Sequence, residues 1–337
     1  MPQDYEVFEL GDVALQHGGV LKKAFLAYKT YGQLNRQRDN LVLIPTFYTG
    51  THVRNEAYFG PGRAIDPARH FIVSINMFGN GFSSSPSNAE ASQRGPRFPN
   101  VAIHDNVACQ HRLLTECFRI EQIALVAGWS MGAIQAFQWG AQFPDAPSAI
   151  LAMCGAARCS PHCHAFIDGP KAALQADAAW NGGNYTAPPE KGLRAFGRAY
   201  MPWAYSPAFF RDALYKPMGF ATQEDFARDW EADHLAWDAN NLLAKIWTWQ
   251  HADISDNDVY RRDLAKALRA IKARAIVMPS RLDAYFPPED SATEVAQMPN
   301  AELRIFDSPW GHCAGSPGRV PAFDRALDGA AGELLRL

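Results

Sequence analysis

Gly128-Trp129-Ser130-Met131-Gly132 decides the fold. It lies between an apolar run, residues 123–126, and a helix-like stretch, residues 133–141. This is G-x-S-x-G in a strand–turn–helix context, where a sharp turn lifts a serine off the end of a strand. Small residues two before and two after the serine let strand and helix pass each other closely. The serine Oγ then points out where a histidine can reach it. The Met131 N–H, at the start of the helix, points where an oxyanion would form. The competing reading is an exposed serine at a Gly-rich helix start, so the flanking elements have to carry the argument.

Working outward, the 337 residues suffice for one large α/β domain with an insertion, or for two domains. With 47% hydrophobic and 20% charged residues, the chain can build a sizeable core and is not of disordered composition. The 32 Lys and Arg against 35 Asp and Glu give a net charge of −3 and no obviously basic face, which argues against nucleic acid. No apolar run reaches membrane-spanning length. Met1-Pro2-Gln3-Asp4-Tyr5-Glu6 lacks the basic and apolar regions of a signal peptide, so a cytoplasmic protein is expected. Six cysteines fit that compartment as free thiols. Cys154, Cys159 and Cys163, with His162 and His164, invite a metal reading. Their spacing is not C-x-x-C and no second pair follows, so small buried thiols are expected instead and no metal is assigned. No sign of a bound cofactor appears either.

Eight apolar runs have strand length: residues 5–10, 24–28, 41–44, 71–75, 123–126, 149–153, 275–278 and 303–306. Gly18-Gly19 between the first two is a hairpin signal. Later runs alternate with helix-like stretches such as 106–118 and 288–297. Such alternation predicts an α/β fold with a mostly parallel, eight-stranded sheet flanked by helices on both faces. The alternation stops across residues 156–268, which hold six of the nine tryptophans and no convincing strand. That segment reads as an inserted helical cap over the carboxyl ends of the strands, with residues 1–155 and 269–337 as the core.

A serine hydroxyl needs a base within hydrogen-bond reach, and the base needs an orienting acid. On a sheet of this kind the acid and then the histidine follow the serine in sequence. Ser130 follows the fifth run, Asp283 the seventh and His312 the eighth. Asp307 is the rival acid, but it ends the eighth run only five residues before His312. Cys313, next to His312, reads as a packing residue because Ser130 has the better turn. The second oxyanion donor should come from the loop at residues 45–52, with the Tyr48 N–H expected and Phe47 as the alternative. Phe47, Thr49 and the bulky Trp129 are expected against the substrate.

Several motifs together resemble the homoserine O-acetyltransferase family of α/β-hydrolase-fold proteins. They include Ala27-Tyr28-Lys29-Thr30-Tyr31-Gly32-Gln33-Leu34-Asn35, Tyr48-Thr49-Gly50 and Gly60-Pro61-Gly62-Arg63-Ala64-Ile65-Asp66. Ser130-Met131-Gly132 and Trp237-Asp238-Ala239-Asn240 complete the match, which covers nearly the whole length. The resemblance implies an acyl-Ser130 intermediate, His312 as base, Asp283 as its orienting acid, and the Met131 and Tyr48 amides as the oxyanion hole. It also implies acyl-CoA as a donor and a homodimer formed through the cap, where residues 237–249 are rich in tryptophan.

The departures bear on substrate. Trp129 and Ala133 replace two glycines of the family's G-G-S-M-G-G elbow. Where the family has Y-R-S or Y-L-S, this chain has Ala204-Tyr205-Ser206, which makes Tyr205 a substrate-binding candidate. No arginine matches the one that holds an amino-acid carboxylate in the transferases, although Arg198 and Arg211 lie nearby in sequence. The leading expectation is therefore a serine hydrolase of small acyl esters, thioesters or amides. An acyl-CoA-dependent O-acyltransferase of homoserine, serine or another small alcohol is the alternative. A catalytically dead binding module is a third, disfavoured because all three triad residues fall in the required loops.

Overall fold

Residues 4–336 are described in this computed structural model; Met1–Gln3, part of the stretch read for a signal peptide, lie outside them. Alternating apolar residues make the first hairpin, β1 (Glu6–Ala14) and β2 (Val20–Tyr31), whose turn places Gly18 and Gly19 at φ +90° and +82°. The next strands are short, and all but the last are almost wholly buried, as parallel strands under helices must be. They are β3 (Leu41–Pro45), β4 (Phe71–Ile75), β5 (Leu125–Trp129), β6 (Ala149–Met153), β7 (Arg274–Met278) and the shorter edge strand β8 (Ala301–Leu303). They form one sheet in the order β1-β2-β4-β3-β5-β6-β7-β8, with β1, β2 and β4 joined antiparallel and every other pair parallel.

The helices fall into two groups. Those that cover the sheet or join its strands begin with α1 (His52–Asn55), α2 (Ile103–Arg112) and α3 (Met131–Gln142). Between β6 and β7 the described chain forms helices and no named strand: α4 (Pro161–Gln175), α5 (Glu190–Ala204), α6 (Pro207–Arg211), α7 (Gln223–Leu235) and α8 (Ala239–Gln250). The chain returns through α9 (Leu264–Ala270), and α10 (Pro288–Val295) and α11 (Pro321–Leu334) finish the layers. No helix among the described residues is long and apolar enough to cross a membrane.

Two strands differ from the sequence reading. β5 runs on through Gly128 and Trp129 to the serine, while Ile123 makes only an isolated bridge to Pro147. β8 covers residues 301–303 rather than 303–306, because its register on β7 pairs Ala275 with Ala301 and Val277 with Leu303. Beyond Leu303 the pairing loosens rather than ends: the Arg304 N–H donates to the Val277 carbonyl and the Phe306 N–H to the Pro279 carbonyl, each at 2.9 Å, and Phe306 forms an isolated bridge with Ser280. The helix expected at residues 106–118 begins earlier, at Ile103, where the Asp105 carboxylate accepts the Ala102 N–H at 2.8 Å. It widens into a π turn over Leu113–Cys117.

The helical segment is fastened to the sheet by a buried carboxyl. Glu294 on α10 accepts the Ala157 N–H at 2.9 Å, just beyond β6. Burial pushes this carboxyl up to about 8 from its ordinary 4.5. The folded chain therefore keeps a proton that the unfolded chain has lost. The stability this group contributes is complete below about pH 4.5 and is lost as pH rises through about 8. Glu294→Gln keeps the acceptor and removes the titration. Thermal unfolding from about pH 5 to about pH 9 should show the variant gaining on the wild type with rising pH. Parallel curves would contradict the assignment.

Candidate active site

Strand and helix meet at Ser130, whose backbone sits at φ +57°, ψ −125°. A non-glycine residue holds such a left-handed conformation only where its surroundings impose it. Here the Ser130 N–H donates to the Met153 carbonyl at 2.9 Å, and its own carbonyl takes the first bonds of α3, from Ala133 and Ile134. The flanking glycines are required by space. A Cβ on Gly128 would stand 2.3 Å from the Gly132 carbonyl group, and one on Gly132 would stand 2.8 Å from the Pro45 carbonyl oxygen. The second approach presses α3 against the end of β3, which brings the 46–50 loop beside the serine.

The three residues expected as a triad are brought together and buried: Ser130 is 3%, His312 3% and Asp283 4% exposed. His312 Nδ1 lies 2.8 Å from Asp283 Oδ2, and His312 Nε2 lies 3.0 Å from Ser130 Oγ. Asp283 Oδ1 accepts the Tyr285 and Phe286 N–H groups at 2.8 and 3.1 Å, which fixes the carboxylate's orientation. A carboxylate can only accept, so His312 carries its proton on Nδ1 and presents a lone pair at Nε2. The arrangement can take a proton from the serine hydroxyl and hold the resulting imidazolium against a fixed anion. Trp129 stacks on the ring at 4.8 Å, and Tyr285 lies tilted against it at 4.4 Å. The Trp129 indole N–H also donates to the His312 carbonyl at 3.3 Å. Asp307 is exposed, away from this relay.

Two backbone amides are candidates for an oxyanion hole: that of Met131, next to the serine, and that of Tyr48, which lines the same cavity. Met131 opens α3, where geometry leaves an N–H without an intrahelical acceptor. The Tyr48 N–H has no acceptor among the described residues. The loop that carries Tyr48 is closed by the Gly50 N–H donating to the Phe47 carbonyl at 2.9 Å. Gly50 is obligatory there, since a Cβ would come 2.7 Å from the Phe47 nitrogen.

Ser130 and His312 open into a cavity of about 80 Å³, small beside the roughly 300–1,000 Å³ of sites that take drug-sized ligands. Phe47, Tyr48, Thr49, Trp129 and Tyr205 all line it. Tyr205 reaches it because Gly311, at φ +60°, lets the histidine loop approach the 204–206 segment; a Cβ there would meet the Ser206 nitrogen at 2.8 Å. Sequence reasoning missed a charged rim, with Arg54 from α1, Asp229 and Asp233 from α7, and Arg319. The four-residue spacing of the two aspartates on one helix was a readable signal; nothing in the sequence pointed that face at the serine. Arg198 and Arg211 do not line the cavity. Arg198 pairs with Glu224 and Glu231, and Arg211 with Asp212. Cys313 borders the cavity, but burial pushes its thiol up to about 12. Cys154 and Cys163 are buried, and no group of three or more metal-ligating side chains occurs among the described residues.

Known proteins resemble this chain over most of its length. A family model described as alpha/beta hydrolase fold matches residues 39–316. The chain is 38% identical to an ethyl acetate hydrolase of Pseudomonas veronii, over 91% of this chain and 89% of that protein. It is 31% identical to a homoserine O-acetyltransferase of Chlorobaculum parvum, over 89% of this chain and 87% of that one. A solved structure of an acetylester hydrolase from Corynebacterium glutamicum superposes with a TM-score of 0.95 at 36% identity, covering 99% of this chain and 96% of that one. With such relatives over nearly its whole length, the chain is an enzyme, and it belongs to the alpha/beta hydrolase fold family, alongside esterases and homoserine O-acetyltransferases.

Proposed function

We propose that this enzyme hydrolyses small acyl esters, acetate esters foremost, through an acyl-Ser130 intermediate. The observation that carries the reading is the Ser130–His312–Asp283 relay, with spacings of 3.0 and 2.8 Å, opening into so small a cavity. The esterase relatives support acetate as the acyl group.

Ser130 Oγ attacks the ester carbonyl while His312 Nε2 takes its proton. The carbonyl oxygen becomes an oxyanion held by the Met131 and Tyr48 amides. His312 returns the proton to the leaving alkoxide, and the alcohol departs. Water then attacks the acyl-serine while giving a proton to His312, which passes it to Ser130 Oγ as the acyl bond breaks, so that the acid is released and the free enzyme restored. Phe47, Trp129 and Tyr205 bound the space for the acyl and alcohol groups. Residues 156–268 act as a lid that keeps bulk water from the relay.

A second reading, transfer of the acyl group to a small amino alcohol, is supported by the homoserine O-acetyltransferase relatives. One experiment separates the two. Hydrolysis of acetate, butyrate and octanoate esters is measured with and without L-homoserine or L-serine, and thiol release from acetyl-CoA is measured in parallel. The proposed function predicts that kcat/KM falls at least about tenfold from acetate to octanoate, because the cavity has no room for the chain. It also predicts that the amino alcohols leave acid formation unchanged. Thiol release that depends on homoserine would establish the transferase instead.

A further inference from the structure

We propose that Lys245 is a positioning residue for the oxyanion hole: from α8 it holds the Tyr48 peptide, and so aims the Tyr48 amide. The inference rests on the acyl-serine reading above.

Lys245 is fully buried in the middle of α8. Its Nζ donates to the Tyr48 carbonyl. It also lies over two ring faces, 4.3 Å from the Trp237 centroid and 5.1 Å from that of Tyr48. Gly79 leaves room for its stem, since a Cβ there would stand 3.0 Å from Lys245 Cγ. A second tie from the same helix reaches the same residue, because the Tyr48 hydroxyl donates to the Leu242 carbonyl at 3.2 Å. Tyr48 is thus gripped at its ring tip and at its carbonyl. The peptide that bears its N–H is fixed on the other side by the Gly50-to-Phe47 bond, and Arg54 holds the next carbonyl, that of Thr49, at 2.9 Å.

A lysine is a costly way merely to fill that space. No carboxylate pairs with it among the described residues, and the nearest influences are adverse: burial first, then the Arg54 charge, bring it down to about 7. His234 on α7, whose imidazole is pushed down by burial, and the Tyr48 phenol, which burial pushes up, supply it no counter-charge near neutral pH, and neither Asp233 nor Asp238 beside Trp237 forms an ion pair with it. A methionine would fill the same volume without that penalty. What a methionine cannot do is donate to the Tyr48 carbonyl. An oxyanion donor moved by a fraction of an ångström loses much of its effect in the transition state and little in substrate binding.

The test compares Lys245→Met with Lys245→Gln, which keeps an N–H donor without a charge. Both are assayed with p-nitrophenyl acetate and with a trifluoromethyl ketone that forms a tetrahedral adduct on the serine. Lys245→Met is expected to lose about 10- to 100-fold in kcat, with little change in KM, and to bind the ketone more weakly by a similar factor. Lys245→Gln is expected to recover most of both losses. Wild-type kcat in Lys245→Met, or a fall in kcat with unchanged ketone affinity, would overturn the proposal. If Lys245→Met does not fold, Lys245→Gln decides: near-wild-type ketone affinity supports the assignment, and a loss as large as that expected for methionine contradicts it. Ser130→Ala is assayed alongside. Activity there would sink the acyl-serine reading itself, whereas an inert Ser130→Ala with an unimpaired Lys245→Met sinks only this inference.

Discussion

Ser130→Ala is expected to lower kcat for acetate-ester hydrolysis by about five to six orders of magnitude, with little change in KM or in thermal stability. The size of the loss follows from what remains. His312, without a hydroxyl 3.0 Å away, can act only on water that nothing else positions. Cys313 also borders the cavity, but burial raises its thiol to about 12, which keeps it protonated at neutral pH. Stability should change little, because the elbow is held by the Ser130 backbone and the two glycines, which alanine does not disturb. The substitution only removes the hydroxyl oxygen and adds no volume. Burst kinetics and far-UV circular dichroism on the same preparation check both halves. Residual activity within about tenfold of wild type would mean that the acyl group never rests on this serine.

Asp283→Asn should cost about 10³- to 10⁴-fold in kcat while leaving the fold intact. The reasoning depends on which way the new amide points. Oδ1 of Asp283 accepts two backbone N–H groups, from Tyr285 and Phe286. The asparagine oxygen must stay there, because an amide NH2 facing two donors would leave three groups unpaired. The NH2 therefore faces His312 Nδ1 and donates to it. That moves the ring proton to Nε2, which then faces Ser130 Oγ as a donor and cannot take its proton. The imidazolium also loses its anion. Steady-state kinetics give the loss, and an NMR readout of the ring nitrogens shows the exchanged tautomer. A variant within tenfold of wild type, or one whose Nδ1 keeps its proton, would contradict this role for Asp283.

How much of this was legible in the sequence depends on whether neighbours along the chain or across space decide the outcome. The elbow was readable because its constraints are local: a strand, two glycines and a helix start within a few residues. Asp283 and His312 were readable because both stand in the turns that end consecutive strands. β8 was misplaced for the opposite reason. The run at residues 303–306 is apolar enough for a strand, but an edge strand takes its register from its partner, and β7 selected residues 301–303. The elbow strand was cut short because Gly128 and Trp129 look like turn residues, whereas they pair with Ala152 and Met153. Arg54, Asp229 and Asp233 reach the cavity from segments far apart in the chain, and no spacing reveals that. Lys245 was invisible because a lysine on a helix is expected to face water. Its burial is decided by the aromatic surfaces of Tyr48 and Trp237, which fold around it.

The tryptophans divide in the same way. Trp249 is wholly buried, and Trp237 covers Lys245, so each works within the chain. Trp247 stacks on His251 at 4.1 Å near the surface. Composition announced an aromatic-rich insertion; only the packing assigns each ring.

The central claim is that Ser130 alone carries the acyl group. The most direct test labels the wild-type enzyme with a fluorophosphonate and maps the adduct by peptide mass spectrometry, with Ser130→Ala as control. A single adduct on Ser130, absent from the variant and formed in step with loss of esterase activity, is the predicted result. An adduct on another residue, or full esterase activity in an enzyme that never labels at Ser130, would contradict it.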